Sequence, residues 1–379
     1  MIKKENIQLI ITAAGEGRRF LDCGYKTHKC LLEIDNQPIV KQVIDTFPGT
    51  DINNVSVICN LENQKDINNT LFKYYKRDLT FGISKHKKGP VYSISRVFNL
   101  IDDNKPIIIS YNDCLSYFDF DKWLESIGDN DGSVLGNAGF HPIMLSGDSY
   151  AVCFQKDNVL TEIKEKHLLE DKFSEFNSTG IYFFRSGAIL KKYFSELLKQ
   201  DINIKGEYYV SLVYNLMIKD GLKSNVFEVE NVVNLGTPND YEEYSSWSRY
   251  FWKKQTLKFG YDSDTTLIIP AAGRGSRCND YNLPKPLIEI DGIPLFACAV
   301  NDIGYCENKI FIVLKEHVVN FGIHKKIKEY YSEAKVLIIN EVTQGQACTC
   351  EKAKIEAKLD LDKPIVISAI DNGASYDGS

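Results

Sequence analysis

Short, uninterrupted apolar runs of strand length recur along the chain: "QLIITA", "VSVIC" and "PIIIS" in its first third, then "TLIIPA", "KIFIVL" and "KVLII" towards its end. Runs this short and continuous predict strands buried on both faces. Between them the apolar positions change to helical spacing. In "PIVKQVIDTF" Ile39, Val40, Val43, Ile44 and Phe47 share one face, and "PLFACAVNDI" repeats the pattern from Pro294. This spacing predicts amphipathic helices with Pro38 and Pro294 at the first helical position. Strands alternating with such helices predict an α/β fold built on mostly parallel sheets. After Asp113 the pattern predicts a hairpin, "YAVCFQKDNVLTEIKEK", a strand and helix, "STGIYFFRSGAILKKYFSELL", and a helix, "EYYVSLVYNLMIKDG", ending at Gly221. A last helix is expected from "TPNDYEEYSSW", with Thr237 as its cap and Pro238 behind it.

The pattern occurs twice. "LIITAAG" at 9–15 returns as "LIIPAAG" at 267–273, "LLEID" at 31–35 as "LIEID" at 287–291, "KKGPVYS" as "TQGQACT" around Gly89 and Gly345, and "KPIIISYND" at 105–113 as "KPIVISAID" at 363–371. Four blocks in the same order, each 256 or 258 residues from its twin, imply a duplicated domain. The expected organisation is a complete domain over 1–247, a linker over 248–263, and over 264–379 a second copy cut short after its front half.

Composition narrows the partners. The net charge of -6 and the absence of a long basic run exclude a nucleic-acid groove or an anionic membrane surface as the expected partner, while leaving room for a small anionic ligand. The ten cysteines form no C-x-x-C pair, which implies reduced thiols in a cytoplasmic protein. The opening "MIKKENIQLIITAAG" has the outline of a signal peptide, but its equivalent recurs internally as "TTLIIPAAG", so it is read as a strand. No apolar run approaches the ~20 residues of a membrane span.

The chemistry sits where the first strand of each copy runs into glycines. Ala14, Gly15, Glu16 and Gly17, and Ala272, Gly273, Gly275 and Ser276, form loops whose backbone can approach phosphate oxygens, because glycine tolerates positive φ and carries no Cβ. Neither loop has the third glycine of a dinucleotide fingerprint or the spacing of a P-loop. Each is followed by an arginine (Arg19, Arg277) and then a lysine (Lys29, Lys285). Two fixed cations beside such a loop suit a triphosphate held during transfer. His28 and His167 read as ordinary loop residues.

These residues resemble the nucleoside-diphosphate-sugar pyrophosphorylases, the nucleotidyltransferases that activate sugar 1-phosphates. The signature G-x-G-[ST]-R with P-K-P-L stands intact from Gly273 to Leu287, and in the first copy Arg18 replaces the hydroxyl residue and "HKCL" replaces P-K-P-L. The resemblance implies two Rossmann-like, GT-A-like domains and transfer of a nucleotidyl group from a nucleoside triphosphate to a sugar phosphate for surface polysaccharide synthesis. It implies catalytic Mg²⁺ on Asp113 and Asp371, nucleotide contacts at Gly89, Gly345 and Gln346, and acceptor contacts at Lys166, Asn177, Thr179 and Gly180. Asn234 stands where the family often carries a second metal carboxylate. Two other readings share these residues: a first copy that binds nucleotide or sugar phosphate as a regulator without turnover, and a cytidylyltransferase acting on phosphocholine or another non-sugar phosphate. Self-association into a homo-oligomer is compatible with all three.

Overall fold

The computed structural model describes residues 2–139, 151–167, 174–256, 264–303, 306 and 308–371, and the chain divides into two compact units, Met1–Ser246 and Trp247–Ser379. The first unit opens with β1 (Gln8–Ala13), α1 (Arg18–Asp22), a ribbon of β2 (Glu33–Ile34) and β3 (Gln37–Pro38), α2 (Ile39–Asp45), β4 (Val55–Asn60), α3 (Leu61–Tyr75), β5 (Thr80–Ile83), α4 (Gly89–Ser95) and β6 (Ile107–Tyr111). It continues with β7 (Cys114–Tyr117), α5 (Phe120–Ile127), β8 (Gly132–Asn137), β9 (Ala151–Lys156), β10 (Val159–Glu165), β11 (Phe176–Phe184), α6 (Gly187–Lys199) and α7 (Val210–Lys219). The strands β12 (Ser224–Glu228) and β13 (Asn231–Asn234) lead into α8 (Pro238–Thr256).

The main sheet runs β10-β9-β11-β6-β1-β4-β5, with β8 also against β11 and β12 against β8. Its apolar strands feed two cores, one on each face. Leu9, Ile11 and Ala13 of β1 pack with Val57, Ile108 and Phe183 on one side, while Ile10 packs with Ile58, Ile109 and Tyr182 on the other. Pairing is parallel from β6 through β1 and β4 to β5. Beyond β6 the sheet becomes mixed: β11 is antiparallel to β6, β8 and β9, and β9 and β10 form the expected hairpin, turning at Asp157 and Asn158 with φ of 52° and 62°. The parallel half matters most for the site. Thr12 lies opposite Tyr111, so the loop after β1 and the turn after β6 emerge side by side at the carboxyl end of the sheet, where open α/β sheets bind ligands.

Pro38 does not start a helix. It belongs to β3, opposite Glu33, and its ψ of 138° keeps it extended as the cap of α2. The ribbon turns through Asp35 and Asn36, with φ of 51° and 61°, the paired positive angles of a tight hairpin. The hairpin claims the proline before the helix can. At the other end of the unit Thr237 does cap α8: its Oγ1 accepts from Asp240 N at 3.2 Å, and the Asp240 carboxylate accepts from Thr237 N at 3.1 Å. This helix runs through the start of the stretch expected as a linker; residues 257–263 lie outside the described ones.

The second unit contains β14 (Thr266–Ala271), a ribbon of β15 (Glu289–Ile290) and β16 (Ile293–Pro294), α9 (Leu295–Ile303), β17 (Asn308–Leu314), α10 (Lys315–Phe321), α11 (Ile323–Tyr330), β18 (Lys335–Ile339), α12 (Gln346–Ala357) and β19 (Ile365–Ile367). Its sheet order, β18-β17-β14-β19, is parallel throughout and matches the order β5-β4-β1-β6 of the first unit. Pro294, like Pro38, lies in the ribbon and not in the helix. Leu267 and Ile269 pack on one face of this sheet and Ile268 on the other.

Candidate active site

A cavity of about 490 Å³ opens at the carboxyl end of the first sheet. The loop from Ala14 to Gly17 lines it together with Arg18, Arg19, Lys29, Gly89, Tyr111, Asp113 and Glu207. Eight of the positions read from the sequence therefore converge here: Ala14, Gly15, Glu16, Gly17, Arg19, Lys29, Gly89 and Asp113.

Local geometry explains the residue types. Gly17 has φ of 61°, a region costly for any residue with a Cβ. A Cβ there would stand 3.9 Å from the Lys29 Cγ, an ordinary contact, so the positive φ and not crowding is what favours glycine. Lys29 lies in a single turn, Lys29–Leu31, and its Nζ donates to Asp113 Oδ2 at 2.6 Å. Asp113 stands two residues past β6, just ahead of β7. Its neighbour Asn112 bonds the carbonyl of Thr12 on β1, and its own carbonyl accepts from Leu235 N at 2.8 Å, so the carboxylate is held against the glycine loop from two directions. Arg18 and Arg19 remain exposed at the mouth.

Gly89 has a structural reason as well. A Cβ there would stand 2.8 Å from Tyr208 N and 2.9 Å from Tyr208 O, and the backbone of the two segments is joined by Tyr208 N to Lys88 O at 3.0 Å and Val91 N to Tyr208 O at 3.1 Å. This close approach brings Glu207 to the cavity. His86 adds a further wall: it accepts from Lys88 N at 3.0 Å and lies 3.1 Å from Ser93 Oγ.

The four expected acceptor residues are absent from the cavity lining. Lys166 Nζ instead donates to Tyr209 Oη at 2.6 Å and lies 3.5 Å from the carboxylate of Glu207, so it reaches the cavity only through that glutamate. Thr179 is buried, its hydroxyl 3.4 Å from Leu135 O. Gly180, with φ of 81°, leaves space for the ring of Tyr111, which would lie 2.9 Å from a Cβ. Asn177 pairs in register with Asn137 on β8. Of these, Lys166 and Gly180 contact residues that line the cavity, Glu207 and Tyr111.

Several lining residues escaped the sequence reading, among them Tyr111 and Glu207, and so did His28, which stands behind the lining residues Gly15 and Lys29. Tyr111 lies inside the repeated block 105–113 but was given no role there, and Glu207 belongs to no short motif and is brought in by the close approach of Gly89 to Tyr208. His28 did leave a signal, since it replaces a proline of the signature beside Lys29. Its Nε2 lies 3.0 Å from the carbonyl of Gly15, and burial pushes its pKa below the ordinary histidine range.

The second unit repeats the central geometry. Gly275 has φ of 62°, a Cβ there would meet Lys285 Cβ at 2.9 Å, and Lys285 Nζ donates to Asp371. Ala272 is buried at the strand end, Gly273 and Arg277 are exposed, and Ser276 begins the short 3₁₀ segment Ser276–Tyr281. Gly345 precedes Gln346 at the start of α12, as Gly89 opens α4. The two units thus share a glycine loop, a lysine and a strand-end aspartate in the same arrangement.

Among the described residues no three His, Cys, Asp or Glu side chains gather as a metal nest, and no helix is long and apolar enough to cross a membrane. A single carboxylate suits a hard cation that draws its remaining ligands from phosphate and water. Asp113 meets that requirement, and Asn234, close by across Gly236, adds a neutral amide and no second charge.

The family model described as "Nucleotidyl transferase" matches residues 8–246. The UTP–glucose-1-phosphate uridylyltransferase AglF of Haloferax volcanii is 23% identical over 242 residues, 62% of this chain and 94% of that protein. A solved Bacillus anthracis structure with bound sucrose aligns with a TM-score of 0.52 and 19% identity, covering 67% of this chain and 98% of its own. The nucleoside-diphosphate-sugar pyrophosphorylase from Vibrio cholerae RC9 aligns with a TM-score of 0.50 and 18% identity over 62% of this chain and 99% of its own.

Proposed function

The chain belongs to the nucleotidyl transferase family and is a nucleotidyltransferase, and from that membership we propose that its first unit joins the nucleotidyl group of a nucleoside triphosphate to a sugar phosphate. The observation that carries this reading is the Lys29–Asp113 pair facing the glycine loop across one cavity.

A phosphate oxygen of the acceptor forms a bond to the α-phosphorus, the bond from that phosphorus to the bridging oxygen breaks in line, and pyrophosphate leaves. No covalent enzyme intermediate is required, so the residues act by alignment and by neutralising charge. The Ala14–Gly17 loop receives the phosphates. Arg18 and Arg19 offset the charge of the departing pyrophosphate, and Lys29 that of the α-phosphate. A divalent cation, Mg²⁺ in our reading, would be held by Asp113 and would supply further neutralisation of the phosphate oxygens. Glu207 and Tyr111 line the cavity where the acceptor is expected, with Lys166 and Gly180 supporting them.

We read the second unit as an incomplete copy that keeps the nucleotide loop, with Lys285 and Asp371 in the roles of Lys29 and Asp113. The finer assignment, a nucleoside-diphosphate sugar made for surface polysaccharide, rests on the sequence resemblance. A grid of nucleoside triphosphates against sugar phosphates, scored by pyrophosphate release from the full chain, tests the proposal. Release that depends on both substrates is expected. Nucleotide binding with no release against any acceptor would reject it.

A further inference from the structure

His28 stands before Lys29 where the second unit has Pro284 before Lys285. The two turns are otherwise alike. Leu31 N donates to His28 O at 2.8 Å and Leu32 N to Lys29 O at 3.2 Å; Leu287 N donates to Pro284 O at 2.8 Å and Ile288 N to Lys285 O at 3.2 Å. Presenting the lysine therefore needs no imidazole, and the His28 φ of -57° would suit proline equally. What the ring adds is a tether to the glycine loop.

The tether has a defined tautomer. Nδ1 accepts from Cys30 N at 3.4 Å and lies 3.1 Å from Cys30 Sγ, so the ring hydrogen is assigned to Nε2, which donates to the Gly15 carbonyl at 3.0 Å. That carbonyl and the N–H of Glu16 belong to one planar trans peptide and point in opposite directions. Glycine lets such a peptide turn over at little cost. Holding the carbonyl therefore fixes the direction of an amide donor in the loop that lines the cavity.

We propose that neutral His28 is a positioning residue that locks the glycine loop in its nucleotide-receiving form, and that protonating the ring releases the lock. The inference rests on the functional reading above. A protonated ring would set an Nδ1 hydrogen against the Cys30 N–H, donor facing donor. Burial is the main force keeping the ring neutral; the Gly15 carbonyl opposes it, and the Lys29 ammonium assists. The other groups nearby do not supply a counter-charge: the Cys30 thiol is kept protonated by burial, Glu16 on the loop lies 3.5 Å from Lys85, and Arg18 and Arg19 are cations.

Two measurements on the full chain test this. Nitrogen-15 NMR of the histidine rings should show His28 as the neutral Nε2–H tautomer, protonating only below the ordinary histidine range; an Nδ1–H tautomer overturns the proposal whether or not the chain turns over. The KM for the nucleoside triphosphate, read from pyrophosphate release, should rise as the solution is acidified. His28→Gln supplies a non-titrating amide donor for Gly15 and should keep the neutral-pH KM while losing that part of the rise. His28→Pro preserves the turn, as Pro284 does, and should raise KM by roughly 5-fold at neutral pH with little change in kcat, the effect of one lost hydrogen bond. A rise common to all three proteins belongs to the nucleotide's own phosphate. An unchanged KM in His28→Pro, or the same acid rise in all three, overturns the lock. A wild-type chain releasing no pyrophosphate with any substrate pair overturns the functional reading instead, and the ring tautomer still decides the inference.

Discussion

Burial pushes the Glu165 carboxyl above the ordinary glutamate range, against the pull of its hydrogen bond from Ser211 and the charge of Lys166, and Glu207 adds to the rise. The folded chain holds this proton more tightly than the unfolded chain does, so the stability it contributes is present below the unfolded value and lost as pH rises through the folded one. Glu165→Gln should therefore show a smaller fall in urea midpoint than wild type between about pH 4 and about pH 7. An identical fall in both proteins would place the pH dependence elsewhere. Residues at this scale were legible where chemistry and repetition coincided. Arg19, Lys29 and Asp113 stood out because each has a twin in the same order. Gly180 and Lys166 were recognisable as special, but the packing of Gly180 against Tyr111 and the bond from Lys166 to Tyr209 were not, because these are contacts between segments far apart in sequence. His28 was passed over because its partner is a backbone carbonyl, which no side-chain motif marks.

At the scale of elements, α8 depends on a reciprocal cap. Thr237 and Asp240 satisfy each other's backbone N–H at the helix start, and Asp240 also accepts from Asn234 Nδ2 at 2.7 Å. Thr237→Ala should lower stability by about 1 kcal/mol, measured by urea denaturation. A loss below a few tenths of that figure would show that Asp240 holds the helix end alone. This cap was readable from "TPND", because the signal is local. The helix starts at Pro38 and Pro294 were misplaced for the same reason in reverse. The two positive φ angles at Asp35 and Asn36, and at Asp291 and Gly292, make tight ribbons, and the pairs "DN" and "DG" signal such turns; the helical spacing after the prolines drew attention away from them.

For the whole molecule, the question is how many nucleotide sites one chain carries. Gly17 and Gly275 share nearly one φ, and Lys29–Asp113 and Lys285–Asp371 form the same pair. Arg19 and Arg277 are exposed, and exposed charges contribute little to stability, so the retention of both arginines favours binding over folding as the cause. A titration of the full chain with a nucleoside triphosphate should show two sites, with Arg19→Ala and Arg277→Ala each removing one; a single site lost with only one of them would leave the copies sharing a fold alone. The reading of a duplication rests on apolar runs and loops that repeat in order. The mixed back half of the first sheet was less so, since antiparallel partners such as β11 and β6 are joined by no short turn. The account's central claim, that the first unit performs the transfer, is tested most directly by pyrophosphate release from Asp113→Asn and Asp371→Asn full-length chains. Asp113→Asn should lose at least ~100-fold in turnover, and Asp371→Asn should keep near wild-type turnover. Full activity in Asp113→Asn, or its loss in Asp371→Asn alone, would contradict the claim.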